Sequence, residues 1–157
     1  MSSGESASRS TLPGNAIRAT RESLAKAAAY KLAQNETNVR KYFPGWDTFP
    51  AAGQMLILSM AWAMGSHAFG AWPHFCARVN EGDWLAVAVP HEDPSSCLMS
   101  EHGENDSFHL RNLASLELAQ AAAFAVDHGL EEELDVDAVI AGAKVARAAE
   151  RTAPARA

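Results

Sequence analysis

From Phe49 to Phe75 the chain reads FPAAGQMLILSMAWAMGSHAFGAWPHF, and nearly every position from Gln54 to Met64 is apolar. A helix that is apolar all round is a buried one, so this run predicts the central helix of the fold. Asp47 or Thr48 is placed to cap it, and Pro50 suits its first turn, where the missing N–H would have had no partner. The run is too short and too interrupted for a bilayer, which takes ~20 consecutive apolar residues. Gly65 is placed to end the helix at positive φ. Gly70 and Pro73 then reset the chain for a second helix bearing His74, Phe75, Cys76 and Val79.

Upstream, Ile17, Leu24, Ala28 and Leu32 recur at helical spacing, with Ser10 or Thr11 as cap and Pro13 near the start. This predicts an amphipathic helix whose other face holds Arg18, Arg21, Glu22 and Lys26. Asn35 to Thr37 predict a break, followed by a short helix from Val39 to Tyr42. That helix stops before Pro44, because the residue before a proline avoids the α region. Pro44-Gly45 is a turn, from which Trp46 returns onto the central helix. Downstream, Asp83 caps a helix over Trp84–Val89, and PHEDPSSCLMSEHGENDS (90–107) is a polar loop. Ser107 or Asp106 opens a helix over Phe108–His128, with an apolar stripe at Leu110, Leu113, Ala114, Leu118, Ala121, Phe124 and Ala125. His128-Gly129 ends it, and Asp135 or Asp137 caps a last helix. No period-two alternation predicts a strand. The expected fold is all-α, with five or six helices around a buried central one. Residues 1–10 read as a disordered polar N-terminus, 11–150 as one helical domain, and 151–157 as a frayed tail.

Composition narrows the function. The 157 residues are 48% hydrophobic and 20% charged, ordinary for a globular domain. The net charge of −6 argues against an electrostatic nucleic-acid binder, which would carry a basic face. No polybasic membrane patch is present. The first residues, MSSGESASRSTLPGNAIR, contain no apolar core of a signal peptide, so cytoplasmic synthesis is expected. Cys76 and Cys97 are then expected to be reduced, although two cysteines leave a bridge open.

The run FPAAGQMLILSMAWAMGSHAFGAWPHFCARVNEGDWLAVA resembles the C-terminal helical lobe of phage-type lysozymes, the T-even phage and pesticin-like muramidases. In that family a buried helix ends in an aromatic residue or Asn followed by x-Gly, here Trp62-Ala63-Met64-Gly65. A short helix follows, here after Pro73, and then a turn with Trp opens the next helix, here Gly82-Asp83-Trp84. An Arg-Asn pair often opens a later helix, and Arg111-Asn112 sits in the matching place. The resemblance covers roughly residues 39–125. It implies a lysozyme-like helical lobe, a glycan ligand such as peptidoglycan, and a setting in a virion or injection apparatus.

Such a muramidase needs a carboxylic acid to protonate the glycosidic oxygen and a second polar group beside it. In the family these come from a Glu on a first helix and from an Asp and a Thr in a small β-lobe. No Gly-rich hairpin with an Asp and a Thr follows Glu5, and Glu22 lies on a charged helix face. No catalytic residue therefore carries over. The expected function is a phage- or prophage-derived peptidoglycan-binding protein without its own acid. The alternatives are an active muramidase drawing its acid from another residue or a second chain, and a structural assembly protein.

Candidate glycan-binding residues are Trp72, Arg111, Asn112, Gln54 and His67. Trp72 lies between Gly70 and Pro73 and is expected to be an exposed stacking platform, whereas Trp62 and Trp84 are expected in the core. Gln54, Ser59 and His67 read first as hydrogen-bonded core polars and a surface histidine, and second as groove lining. His91, Glu92, Asp93, Cys97, Glu101, His102, Glu104, Asp106 and His109 are metal-ligand types, but their spacing matches no H-E-x-x-H or paired C-x-x-C pattern. A solvated acidic loop is expected there, with neither metal nor cofactor.

Overall fold

The computed structural model describes residues 19–89, 96–97 and 109–154, with the backbone alone for 109–112. Those residues form six α-helices and no strand: α1 (Arg21–Val39), α2 (Ala51–Met64), α3 (Pro73–Asn80), α4 (Trp84–Val87), α5 (His109–Asp127) and α6 (Val136–Thr152). Two 3-10 turns, Trp46–Thr48 and Ala68–Ala71, flank α2. The helix α2 packs on α1, α5 and α6, while α5 also meets α4 and α6, and α3 meets α4. The expected all-α class holds.

The helix ends follow local rules. Helix α1 begins at Arg21, later than the start expected after Ser10 or Thr11 (both outside the described residues), and Thr20 caps it by accepting the Ser23 N–H at 3.1 Å. Asp83 caps α4 through Ala86 N–H, and Asp135 caps α6 through Ala138 N–H, each at 3.1 Å. Gly65 ends α2 at φ 90° and Gly129 follows α5 at φ 68°, a region where a Cβ is strained. Pro50 immediately precedes α2 and donates no cap; Asp47 and Thr48 belong to the preceding turn instead.

The core is aromatic. Phe43 meets Phe69 edge-on at 5.2 Å and Phe75 at 6.2 Å, and Phe49 meets Trp84 at 5.6 Å. Such pairs contribute roughly 0.5–1.5 kcal/mol beyond area burial. Val39, Leu56, Ile57, Val79 and Val87 complete it. Gly53 lets α2 lie against the indole of Trp84, since a Cβ there would sit 2.4 Å from a ring carbon.

Four expectations are corrected. First, α1 runs unbroken through Asn35–Thr37: Asn35 is buried and the Thr37 hydroxyl donates to the Ala33 carbonyl, so neither side chain caps the backbone there to end the helix. The predicted helix at Val39–Tyr42 is only the turn that ends α1, with Tyr42 N–H and Phe43 N–H both donating to the Val39 carbonyl. Second, the stripe of α1 is not buried as a whole: only Asn35 and Val39 are, and Leu24 and Leu32 are exposed. Third, α5 faces the core with Ala119, Ala121, Ala122 and Ala125, while Leu113 is exposed. The alanines allow close contact with α2, which larger side chains would prevent. Fourth, Trp62 is 51% exposed, whereas Trp84 is buried as expected.

Candidate functional site

The residue types that bind sugars are distributed over several elements. Gln54, in the first turn of α2, is half-buried, and its Nε2 donates to the Trp46 carbonyl at 2.8 Å. It therefore ties α2 to the preceding turn. His67 is exposed beyond the other end of α2, and its carbonyl accepts the Tyr42 hydroxyl at 3.3 Å. The helix from Gln54 to Met64 alone spans about 15 Å at 1.5 Å per residue, and His67 follows its far end, so the two residues belong to opposite ends of α2. Trp72 closes the second 3-10 turn, its N–H donating to Phe69 at 2.9 Å, and its ring packs half-buried against the core. Trp72 is therefore not the exposed platform expected of it. Arg111 and Asn112 lie in the first turn of α5, and their side chains fall outside the described residues. So do all the proposed loop ligands except Cys97, which is buried.

A different set of residues shares one surface. Met55, Ser59 and Trp62 recur at four- and three-residue steps along α2, and all three are exposed. Leu58 and Met64 flank them, half-buried. The central helix thus has an outward face about two turns long, with a tryptophan at its C-terminal end. A sequence signal for this face was present: Ser59 is the one polar residue between Met55 and Met64. Polar residues mark the wet side of an otherwise apolar helix, and Met55 and Trp62 lie on that side.

The charged residues nearby serve the fold. The Arg40 guanidinium donates to both carboxylate oxygens of Asp47, at 3.0 and 2.9 Å, and to Glu36 at 2.8 Å. It also lies over the Trp46 ring, 5.9 Å from its centre. The clasp joins the end of α1 to the turn before α2. The hydrogen bonds from Arg40 hold the Asp47 carboxyl below its ordinary range, the opposite of what a general acid at neutral pH requires.

A cleft of about 250 Å³ lies between α4, α5 and α6, lined among others by Leu85, Ala123, Phe124, His128 and Arg147. Three of its polar lining residues, Gln120, His128 and Arg147, are already engaged. His128 stacks on Phe124 with ring centres 4.0 Å apart, and Arg147 donates to Gln120. Among the described residues no group of His, Cys, Asp and Glu is arranged to hold a metal ion, and no helix is long and apolar enough to cross a membrane. Comparisons with protein-family models, curated proteins and solved structures find no match.

Proposed function

We propose that this chain is a lysozyme-like helical lobe that binds the glycan strands of peptidoglycan without cleaving them, as a phage- or prophage-derived protein would. One observation carries the reading: a half-exposed tryptophan, Trp62, on the outward face of the central helix, beside the hydroxyl of Ser59. A sugar ring offers a flat apolar face to such an indole and hydroxyls to such a side chain. The resemblance of the Phe49–Ala88 stretch to lysozyme lobes supports the choice of ligand. The lack of a counterpart to the family's Glu on a first helix and to its β-lobe Asp and Thr supports the absence of hydrolysis. Trp62 takes the role of platform here in preference to Trp72, because more of its ring is free to stack.

Co-sedimentation with insoluble peptidoglycan, run alongside a turbidity assay on cell walls, tests the reading. Wild type should sediment and leave turbidity unchanged. Trp62→Ala should sediment several-fold less while keeping its helical circular dichroism. Wild type remaining in the supernatant, or Trp62→Ala sedimenting as wild type, would overturn it. Clearing of the walls that one Glu or Asp substitution abolishes would establish an active muramidase instead. An assembly role has its own support, in the exposed length of α1.

A further inference from the structure

The face of α1 that enters the core does not stop where the core stops. Asn35 and Val39 are buried, and the same face continues toward the N-terminus through Leu32, Ala28 and Leu24 at helical steps. Leu24 is 45% exposed and Leu32 41%. Two charges share this face, Arg21 and Lys31, three residues from Leu24 and from Ala28 respectively. Both are basic, and neither has an ion-pair partner among the described residues. Lys26 lies on the other side, paired with Glu22 at 3.4 Å. The unpartnered face is therefore apolar with two positive charges on it, Arg21 at its N-terminal end and Lys31 one turn past Ala28.

The turn between α5 and α6 has the complementary character. Residues 130–135 read LEEELD, all exposed, with Leu134 83% exposed at the tip. Glu133 and Asp135 bond to backbone N–H groups at the start of α6. Glu131 and Glu132 have no ion-pair partner among the described residues. Both surfaces are apolar and oppositely charged, and they belong to different parts of the bundle.

We propose that copies of this chain associate head to tail, the Leu24–Leu32 face of α1 of one copy docking on the Leu130–Leu134 turn of the next. Pairing of two α1 faces with each other would bring Arg21 and Lys31 of both copies together, and like charges facing each other disfavour it. A head-to-tail contact uses two different surfaces and so propagates into a ring or a filament. Repetition of this kind would multiply weak binding sites along a polymeric ligand, but the contact itself does not depend on the glycan reading.

Sedimentation velocity on the full chain, at concentrations up to about 1 mM, tests it. Wild type should associate at about 50 mM salt and dissociate at about 500 mM, where the screening length falls to a few ångströms. Arg21→Glu with Lys31→Glu should weaken association about tenfold or more, as should Glu131→Lys with Glu132→Lys. An equimolar mixture of the two doubly reversed variants should regain it, because each then offers what the other lacks. All these positions are exposed, so circular dichroism should not change. A monomeric wild type at low salt would overturn the proposal. Association that survives reversal of the α5–α6 turn, or a mixture that does not recover, would overturn it equally.

Discussion

Helices α1 and α2 invert what their compositions suggest. The 14-residue α2 is almost wholly apolar and still leaves Met55, Ser59 and Trp62 in solvent. The 19-residue α1 carries a regular apolar stripe and buries only Asn35 and Val39. The difference lies in their neighbours. Helices α1, α5 and α6 pack around α2, and the sector they leave open is the Ser59 side. Helix α1 meets the body at its C-terminal end, where Asn38 Nδ2 donates to the buried Ser66 hydroxyl at 3.0 Å and Arg40 clasps Asp47. Beyond that anchor its stripe faces nothing in the described structure. A periodic pattern therefore states which side of a helix can be buried, not how much of its length is.

The sharpest test contrasts one residue just past the anchored end of α1 with one on its free end. Phe43→Ala removes a fully buried ring that touches Phe49, Phe69 and Phe75, and should cost about 3–5 kcal/mol in urea unfolding. Leu24→Ala, on the same stripe continued outward, should change stability by less than about 0.5 kcal/mol. Similar losses for the two would mean that α1 is packed along its whole length.

Asn35 comes next. Its amide is fully buried, and among the described residues neither its nitrogen nor its oxygen has a hydrogen-bond partner. A polar group left in that state costs about 1–3 kcal/mol, so Asn35→Leu should raise the urea midpoint by a corresponding amount at unchanged slope. A fall of similar size would show that the amide is satisfied by a bound water and anchors α1 through it.

Gly65→Val tests the end of α2. The site is open to solvent, with nothing within 4 Å of a built Cβ. The cost should therefore be purely that of a side chain at φ 90°, about 1–2 kcal/mol. A melting temperature for Gly65→Val equal to wild type would refute the assigned helix end.

The smallest effect concerns the clasp. Because the bonds from Arg40 lower the Asp47 pKa in the folded state, its contribution to stability is present above the unfolded value of about 3.9. It is lost as pH falls through the lower folded value. Asp47→Asn should thus lower the melting temperature slightly at pH 7 and leave it equal to wild type well below pH 3.9. Both groups are solvent-exposed, so the difference at pH 7 should shrink in high salt. A gap that persists in acid would place the effect elsewhere than in the Asp47 charge.

What was legible in the sequence was what a few neighbouring residues decide. The caps Asp83 and Asp135 and the positive-φ glycines Gly65 and Gly129 act within one helical turn, so their residue types suffice to place them. The apolar composition of α2 was enough to make it the centre of an all-α core. Asn35 was misread because a buried asparagine and a helix-breaking one look alike in sequence; the contact with α2 chose between them.

The same holds for the candidate site. Trp62 and Trp84 open onto similar apolar surroundings in the chain, yet Trp84 fills the space that Gly53 leaves and Trp62 faces water. Gln54 and His67 read as companions until the length of α2 set them at opposite ends. The sequence by itself determined the all-α class, the caps Asp83 and Asp135 and the glycine ends at Gly65 and Gly129, because backbone hydrogen bonding within one turn is local. Only the tertiary structure decided which tryptophan is exposed, how much of α1 is held and which polar residues share a surface. Those outcomes depend on which helix lies opposite, and that is a property of contacts between residues far apart in the chain.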